Sequence, residues 1–117
     1  MQNDRDTTVW QLRQEMARFV AEREWEQFHD PKNLAMSIAI EAAELMEHFQ
    51  WLTSQEAREI LKYPEEMSEV ADEVADILSF TLSFANRCGI DLTDALRKKM
   101  EANRRKYPVE KYKGKFR

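Results

Sequence analysis

The sequence predicts an all-α protein, an antiparallel bundle of four main helices. Apolar residues recur at three- and four-residue steps along most of its 117 positions, glycine occurs only twice, and no segment sustains the two-residue alternation of a half-buried strand. With 43% hydrophobic and 34% charged residues, a chain of this length suits one compact soluble domain.

The first helix is expected from Thr8 to Trp25, because Val9, Leu12, Met16, Phe19 and Val20 share one face. His29, Asp30 and Pro31 interrupt it. Asp30 is placed to cap a second helix and Pro31 to occupy its first turn, and the helix continues through Asn33, Ile38 and Leu45 to about Trp51. Thr53 with Glu56 forms a capping-box pattern that opens a short helix through Leu61, which Tyr63-Pro64 stops. A third long helix is expected from Pro64 to Arg87, where Cys88-Gly89 supplies a left-handed cap. Asp91 or Thr93 opens the last one, which carries Leu92, Ala95, Leu96, Lys99 and Asn103 and fades near Tyr107-Pro108. This divides the chain into a domain over 1–108 and a basic tail over 109–117. The second helix is apolar or small almost all round from Leu34 to Met46, more surface than three partners in so short a chain cover. A homo-oligomer with a shared core is therefore expected, a tetramer or at least a tight dimer.

Several functions are excluded by composition. Neither Gly89 nor Gly114 begins a phosphate loop, so P-loop and dinucleotide-fingerprint binding are out. Cys88 is the only cysteine, which rules out an intrachain disulfide or a cysteine-based zinc site and fits a reducing, cytoplasmic setting. The N-terminal stretch lacks the apolar core of a signal peptide, and no apolar run reaches membrane-spanning length. A formal charge of −4 argues against bulk nucleic-acid binding. Acids dominate from Glu41 to Asp76, whereas the stretch from Arg97 onward is basic.

Four carboxylates stand in apolar company. Glu41 falls on the stripe of Leu34, Ile38, Leu45 and Leu52, with Glu44 three residues on; Glu73 and Asp76 border the stripe of Val70, Val74, Ile77, Thr81 and Phe84. A carboxylate taken from water must stay protonated, pair with a base or coordinate a cation, and the second helix offers no Lys or Arg near Glu41. Two such pairs facing each other across antiparallel helices form a hard-oxygen set suited to Mg²⁺ or Mn²⁺. The competing reading is a polar bundle edge. Leu45, not a glutamate, stands three before His48, so the Glu-x-x-His of di-iron bundles is missing and His48 reads as a rim residue. Glu65, Glu66, Glu69 and Asp72 read as a solvated helix start. Lys99 and Asn103, followed by Arg104, Lys106 and Tyr107, either grip phosphates or complement the helix dipole. Trp25, Phe28, His29 and Trp51 border the ends of the second helix as core plugs or as a platform for a nucleobase.

With these residues in view, the sequence resembles the MazG-like nucleoside triphosphate pyrophosphohydrolases, and within them the dCTP pyrophosphatase branch. The resemblance runs through Glu41-Ala-Ala-Glu44, Glu73-Val-Ala-Asp76, Lys99 to Asn103, Arg104-Arg105-Lys106-Tyr107-Pro108, the segment from Arg23 to His29 with Pro31 and Asn33, and Phe49-Gln50-Trp51. It implies hydrolysis between the α and β phosphates of a nucleoside triphosphate, with Mg²⁺ on Glu41, Glu44, Glu73 and Asp76 and Glu41 as the base. It also implies phosphate contacts from Lys99, Asn103 and Tyr107, and a base pocket of Trp25, His29 and Trp51 that favours dCTP or a modified dCTP. One departure is that relatives selecting dCTP often carry a histidine near the position of Met16, whose thioether offers no comparable hydrogen bond. The alternative is a non-catalytic helical interaction module. The complete carboxylate set argues against it, since a module without metal gains stability by losing buried acids.

Overall fold

A computed structural model describes residues 2–115, and helices supply all the regular structure among them. Helix α1 (Val9–Glu22) opens on a capping box: Thr8 Oγ1 accepts from the Gln11 amide at 3.1 Å and Gln11 Oε1 accepts from the Thr8 amide at 2.7 Å. It ends before the expected Trp25. Glu24 adopts a left-handed φ of 54° and the Trp25 amide donates to Val20 O at 3.0 Å, a Schellman closure made without the glycine that normally marks it. Trp25 then folds back edge-on to Phe19, with ring centroids 5.7 Å apart.

A 3-10 turn (Glu26–Phe28) leads into α2 (Pro31–Glu47), where Asp30 Oδ1 accepts from the Asn33 amide at 2.8 Å. The α2 ladder stops short of Trp51 because the His48 and Phe49 amides turn to Leu45 O and Met46 O, tightening the last turn. Short helix α3 (Ser54–Glu59) begins at the Thr53–Glu56 capping box, and a 3-10 turn (Ile60–Lys62) precedes α4 (Pro64–Cys88). Gly89, with φ of 67°, closes α4 while the Ile90 amide returns to Ala85 O. Asp91, rather than Thr93, caps α5 (Leu92–Lys106) by accepting from the Asp94 amide at 2.9 Å. The stretch after residue 108 includes a short helix, α6 (Val109–Tyr112); Phe116 and Arg117 lie outside the described residues.

The four long helices are present, but only three share a packed core. Antiparallel α2 and α4 form the main contact, and α1 lies on α4. Arg13 fastens α1 to the end of α4, donating to Asn86 Oδ1 at 2.9 Å and to Ile90 O at 2.6 Å. Among the described residues α5 packs extensively on no other helix, so the bundle does not close within one chain. Among the described residues Val20, Leu34, Leu82 and Ala85 are the buried apolar ones, while Met36, Ile40 (57% exposed), Val74 and Leu78 of α2 and α4 remain exposed. The chain exposes 9853 Å², against roughly 6,700 Å² for a globular monomer of its mass. Its radius of gyration is 17.3 Å, against about 13 Å for a compact domain of this length.

Candidate active site

The antiparallel register of α2 and α4 brings residues distant in sequence face to face. Ser37 and Phe80 border one cavity, Glu41 meets Glu73 and Asp76, and His48 Nε2 stands 3.7 Å from Glu73 Oε1. One oxygen each from Glu41, Glu73 and Asp76 lies within 4.8 Å of the other two. Glu44 adjoins this trio through hydrogen bonding with both Glu41 and Glu73.

The cluster is electrostatically crowded. The Glu41 carboxyl is pushed up to about 7, chiefly by its hydrogen bond with Glu44, then by burial and by the charges of Glu44, Asp76 and Glu73. Burial, followed by hydrogen bonding with Glu44, raises Glu73, and His48 partly offsets this. Glu41 Oε2 and Glu73 Oε2 are buried with no hydrogen-bond partner. Among the described residues no Lys or Arg forms an ion pair with any of the four acids. Unpartnered buried oxygens on hard ligands fit a Mg²⁺ or Mn²⁺ ion, which satisfies them and cancels the repulsion.

One helical turn from the acids, Trp25, Phe28, His29, Asn33, Ser37 and Phe80 line a cavity of about 340 Å³. His29 also borders a smaller one of about 160 Å³ between α1, the Glu26–Phe28 turn and α4, with Met16 on its wall. Ser37 and Phe80 were not singled out from sequence. The available signal was position, since Ser37 precedes Glu41 by one turn on α2 and Phe80 follows Asp76 by one turn on α4. A wider concavity, about 730 Å³, runs along the N-terminal segment and α1 past Asn3, Asp6, Gln11 and Arg18, away from the acid cluster.

The remaining expected site residues are not gathered within the chain. Trp51 is 87% exposed at the opposite end of α2 from Trp25 and His29, about 25 Å of helix away. Lys99 and Asn103 lie on α5, apart from the packed helices. Tyr107 stacks edge-on with Tyr112 at 5.2 Å.

Fold and site together define an all-α protein with a crowded carboxylate centre between antiparallel helices, beside an aromatic cavity. The chain belongs to the MazG-like family, whose profile matches residues 36–115. It is 40% identical over 109 residues to dCTP pyrophosphatase 1 of Bos taurus, a match covering 93% of this chain and 64% of the relative. Against dCTP pyrophosphatase 1 of Homo sapiens the identity is 40% over 104 residues, covering 89% and 61%. The chain thus spans somewhat less than two thirds of these relatives' length. A crystal structure of a pyrophosphatase from Archaeoglobus fulgidus superposes with a TM-score of 0.79 at 42% identity, covering 86% of this chain and 92% of the other.

Proposed function

We propose that this protein hydrolyses nucleoside triphosphates between the α and β phosphates, releasing a monophosphate and pyrophosphate, with pyrimidine deoxynucleotides preferred. The observation that carries the reading is the unpartnered carboxylate cluster one turn from an aromatic cavity. The relatives named as dCTP pyrophosphatases, and the match to a pyrophosphatase structure, support it.

In this reading Glu41, Glu44, Glu73 and Asp76 hold Mg²⁺, with Mn²⁺ as a substitute. Such an ion, when bound, would supply charge neutralisation for triphosphate oxygens and a more acidic attacking water. Glu41, at the centre of the cluster, accepts the proton released as water adds to the α phosphorus and the bond to the pyrophosphate leaving group breaks. Lys99, Asn103 and Tyr107 neutralise and orient the phosphates; Trp25 and His29 receive the base, and Trp51 stacks on it.

Because α5 and Trp51 stand away from the acids of their own chain, the complete site requires a second copy. The excess exposed surface, about 3,000 Å², falls in the range that obligate oligomers bury, and the exposed Leu96 and Met100 of α5, with Met36, Ile40, Val74 and Leu78, supply apolar surface for a second copy to cover. We take the assembly to be a homotetramer. Residues 1–108 carry the activity and 109–117 form a basic extension. A role in clearing nucleotide pools puts the protein in the cytoplasm, without a nucleic-acid or membrane partner; among the described residues no helix is long and apolar enough to cross a membrane.

The test is a panel of ribo- and deoxynucleoside triphosphates incubated with Mg²⁺, with pyrophosphate and orthophosphate measured separately. The expected result is pyrophosphate and monophosphate in equal amounts, dCTP or a 5-substituted analogue leading modestly. Orthophosphate as the product, or purines hydrolysed best, would contradict the reaction and the base preference respectively.

A further inference from the structure

Three hydroxyl side chains lie close together on α4, and one of them is left unsatisfied. Ser79 Oγ donates to Asp76 O at 2.9 Å and Thr81 Oγ1 donates to Ile77 O at 2.7 Å, the usual way a helix satisfies a hydroxyl from its own preceding turn. Ser83 makes no such bond. The residue is 5% exposed and its Oγ is buried without a hydrogen-bond partner. An orphaned buried hydroxyl is destabilising unless something else completes it.

Ser83 borders the smaller cavity, whose α1 wall of Met16, Ala17 and Val20 is apolar and whose other sides carry His29 and Asn86 with the exposed Glu26 and Arg87. Asn86 is already engaged at both ends of its amide, accepting from Arg13 Nε at 2.9 Å and donating to Arg13 O at 3.0 Å. Met16 contributes only a weak acceptor. Ser83 is therefore the buried group with unused hydrogen-bonding capacity in the space that His29 faces.

We infer that Ser83 is a specificity-determining residue whose hydroxyl hydrogen-bonds the substituent at position 4 of a pyrimidine base. The inference rests on the proposed base pocket around His29. Asp76, Phe80 and Ser83 follow one another at four- and three-residue steps along one face of α4, so about 10 Å of helix separates the last metal-site carboxylate from the hydroxyl. A nucleotide with its phosphates at the acids and its sugar near Phe80 directs the end of the base farthest from the sugar bond towards Ser83. A hydroxyl both donates and accepts, so it serves the amine of cytosine and the carbonyl of thymine alike, in keeping with a modest preference among pyrimidines.

Ser83→Ala and the wild type should be compared on dCTP, dTTP and the dCTP analogue in which hydrogen replaces the 4-amino group, with His29→Ala run in parallel. Ser83→Ala should lower kcat/KM for dCTP and dTTP by about threefold to tenfold, mainly through KM, and change the analogue by less than about twofold, since the lost bond has no counterpart there. Its melting temperature should be no lower than that of the wild type, because the hydroxyl removed has no partner in the free protein. An equal loss on all three substrates, or a fall in melting temperature of several degrees, would overturn the inference by showing a structural role. No loss on any substrate, while His29→Ala still narrows the pyrimidine preference, would overturn it by showing that Ser83 does not touch the base. If His29→Ala also leaves the ranking of pyrimidines over purines unchanged, the base pocket itself is wrong and the inference falls with it.

Discussion

Glu41 and Glu73 are clamped between α2 and α4, where one oxygen of each is closed off from solvent, whereas Lys99 and Asn103 stand on α5, a helix that packs extensively on nothing else in the chain. The difference follows from what each charge needs. Carboxylates that repel one another assemble only if rigid packing holds them, so the chain spends its scarce core, centred on Leu34, Leu82 and Ala85, on the two helices that carry them. A lysine stays hydrated on an unpacked helix at little cost until a phosphate arrives. In the proposed reading, the anionic half of the site is thus built into one chain, and the cationic half is completed by assembly and substrate.

Four outcomes would sharpen or break this contrast. The largest is expected from the acids: Glu44→Gln or Asp76→Asn should lower pyrophosphate release by more than the roughly hundredfold typical of losing an outer-shell partner, with the oligomer retained in light scattering. Full activity in either variant would make the cluster structural. Next, wild-type protein should scatter as at least a dimer of the 13.9 kDa chain. Leu96→Asp should shift it towards monomer and lose activity, because Leu96, exposed in the single chain, is buried in the proposed assembly, where a charge costs more than the roughly 2 to 5 kcal/mol of Leu→Ala. A monodisperse monomer with full activity would remove the need for a second copy.

Third, Lys99→Ala should weaken every triphosphate by a similar factor of about ten to a hundred, the worth of a hydrogen bond to a charged group. Trp51→Ala should instead act on substrate ranking through roughly 1 to 3 kcal/mol of lost stacking; steady-state kinetics on four triphosphates separates the two. The smallest effect concerns pH. Glu41 has an ordinary value of 4.5 when unfolded and about 7 when folded, and Glu73 is raised too. The contribution of Glu41 to stability is full below about 4.5 and is lost as pH rises through 7, and that of Glu73 is lost in the same direction. Metal-free protein should therefore melt lower at pH 8 than at pH 5 by scanning calorimetry, and millimolar Mg²⁺ should raise the pH 8 value by mass action.

Much of this was legible in the sequence because the signals were local. The Asp30-Pro31 start, the Thr53–Glu56 box and the Gly89 stop each name their own turn, and all three hold. The close of α1 was hidden because a glutamate occupies the left-handed position that usually belongs to glycine. Glu41, Glu73 and Asp76 stood out because acids on apolar stripes are anomalous whatever the tertiary partner. Ser37, Phe80 and Ser83 did not: small and aromatic residues on a helix face look like core until the register of the opposing helix is known. The detachment of α5 was equally invisible, since its stripe of Leu92, Leu96 and Met100 is amphipathic whether its partner is the same chain or another.

The central claim, that these carboxylates form a divalent-cation centre, is tested most directly by titrating Mn²⁺ into metal-free protein and following the six-line spectrum of the free ion by electron paramagnetic resonance. Wild-type protein should suppress the free signal in proportion to its concentration, added Mg²⁺ should restore it, and Glu73→Gln should bind far less. Unperturbed free Mn²⁺ at millimolar protein, or suppression by Glu73→Gln equal to that of the wild type, would contradict the account.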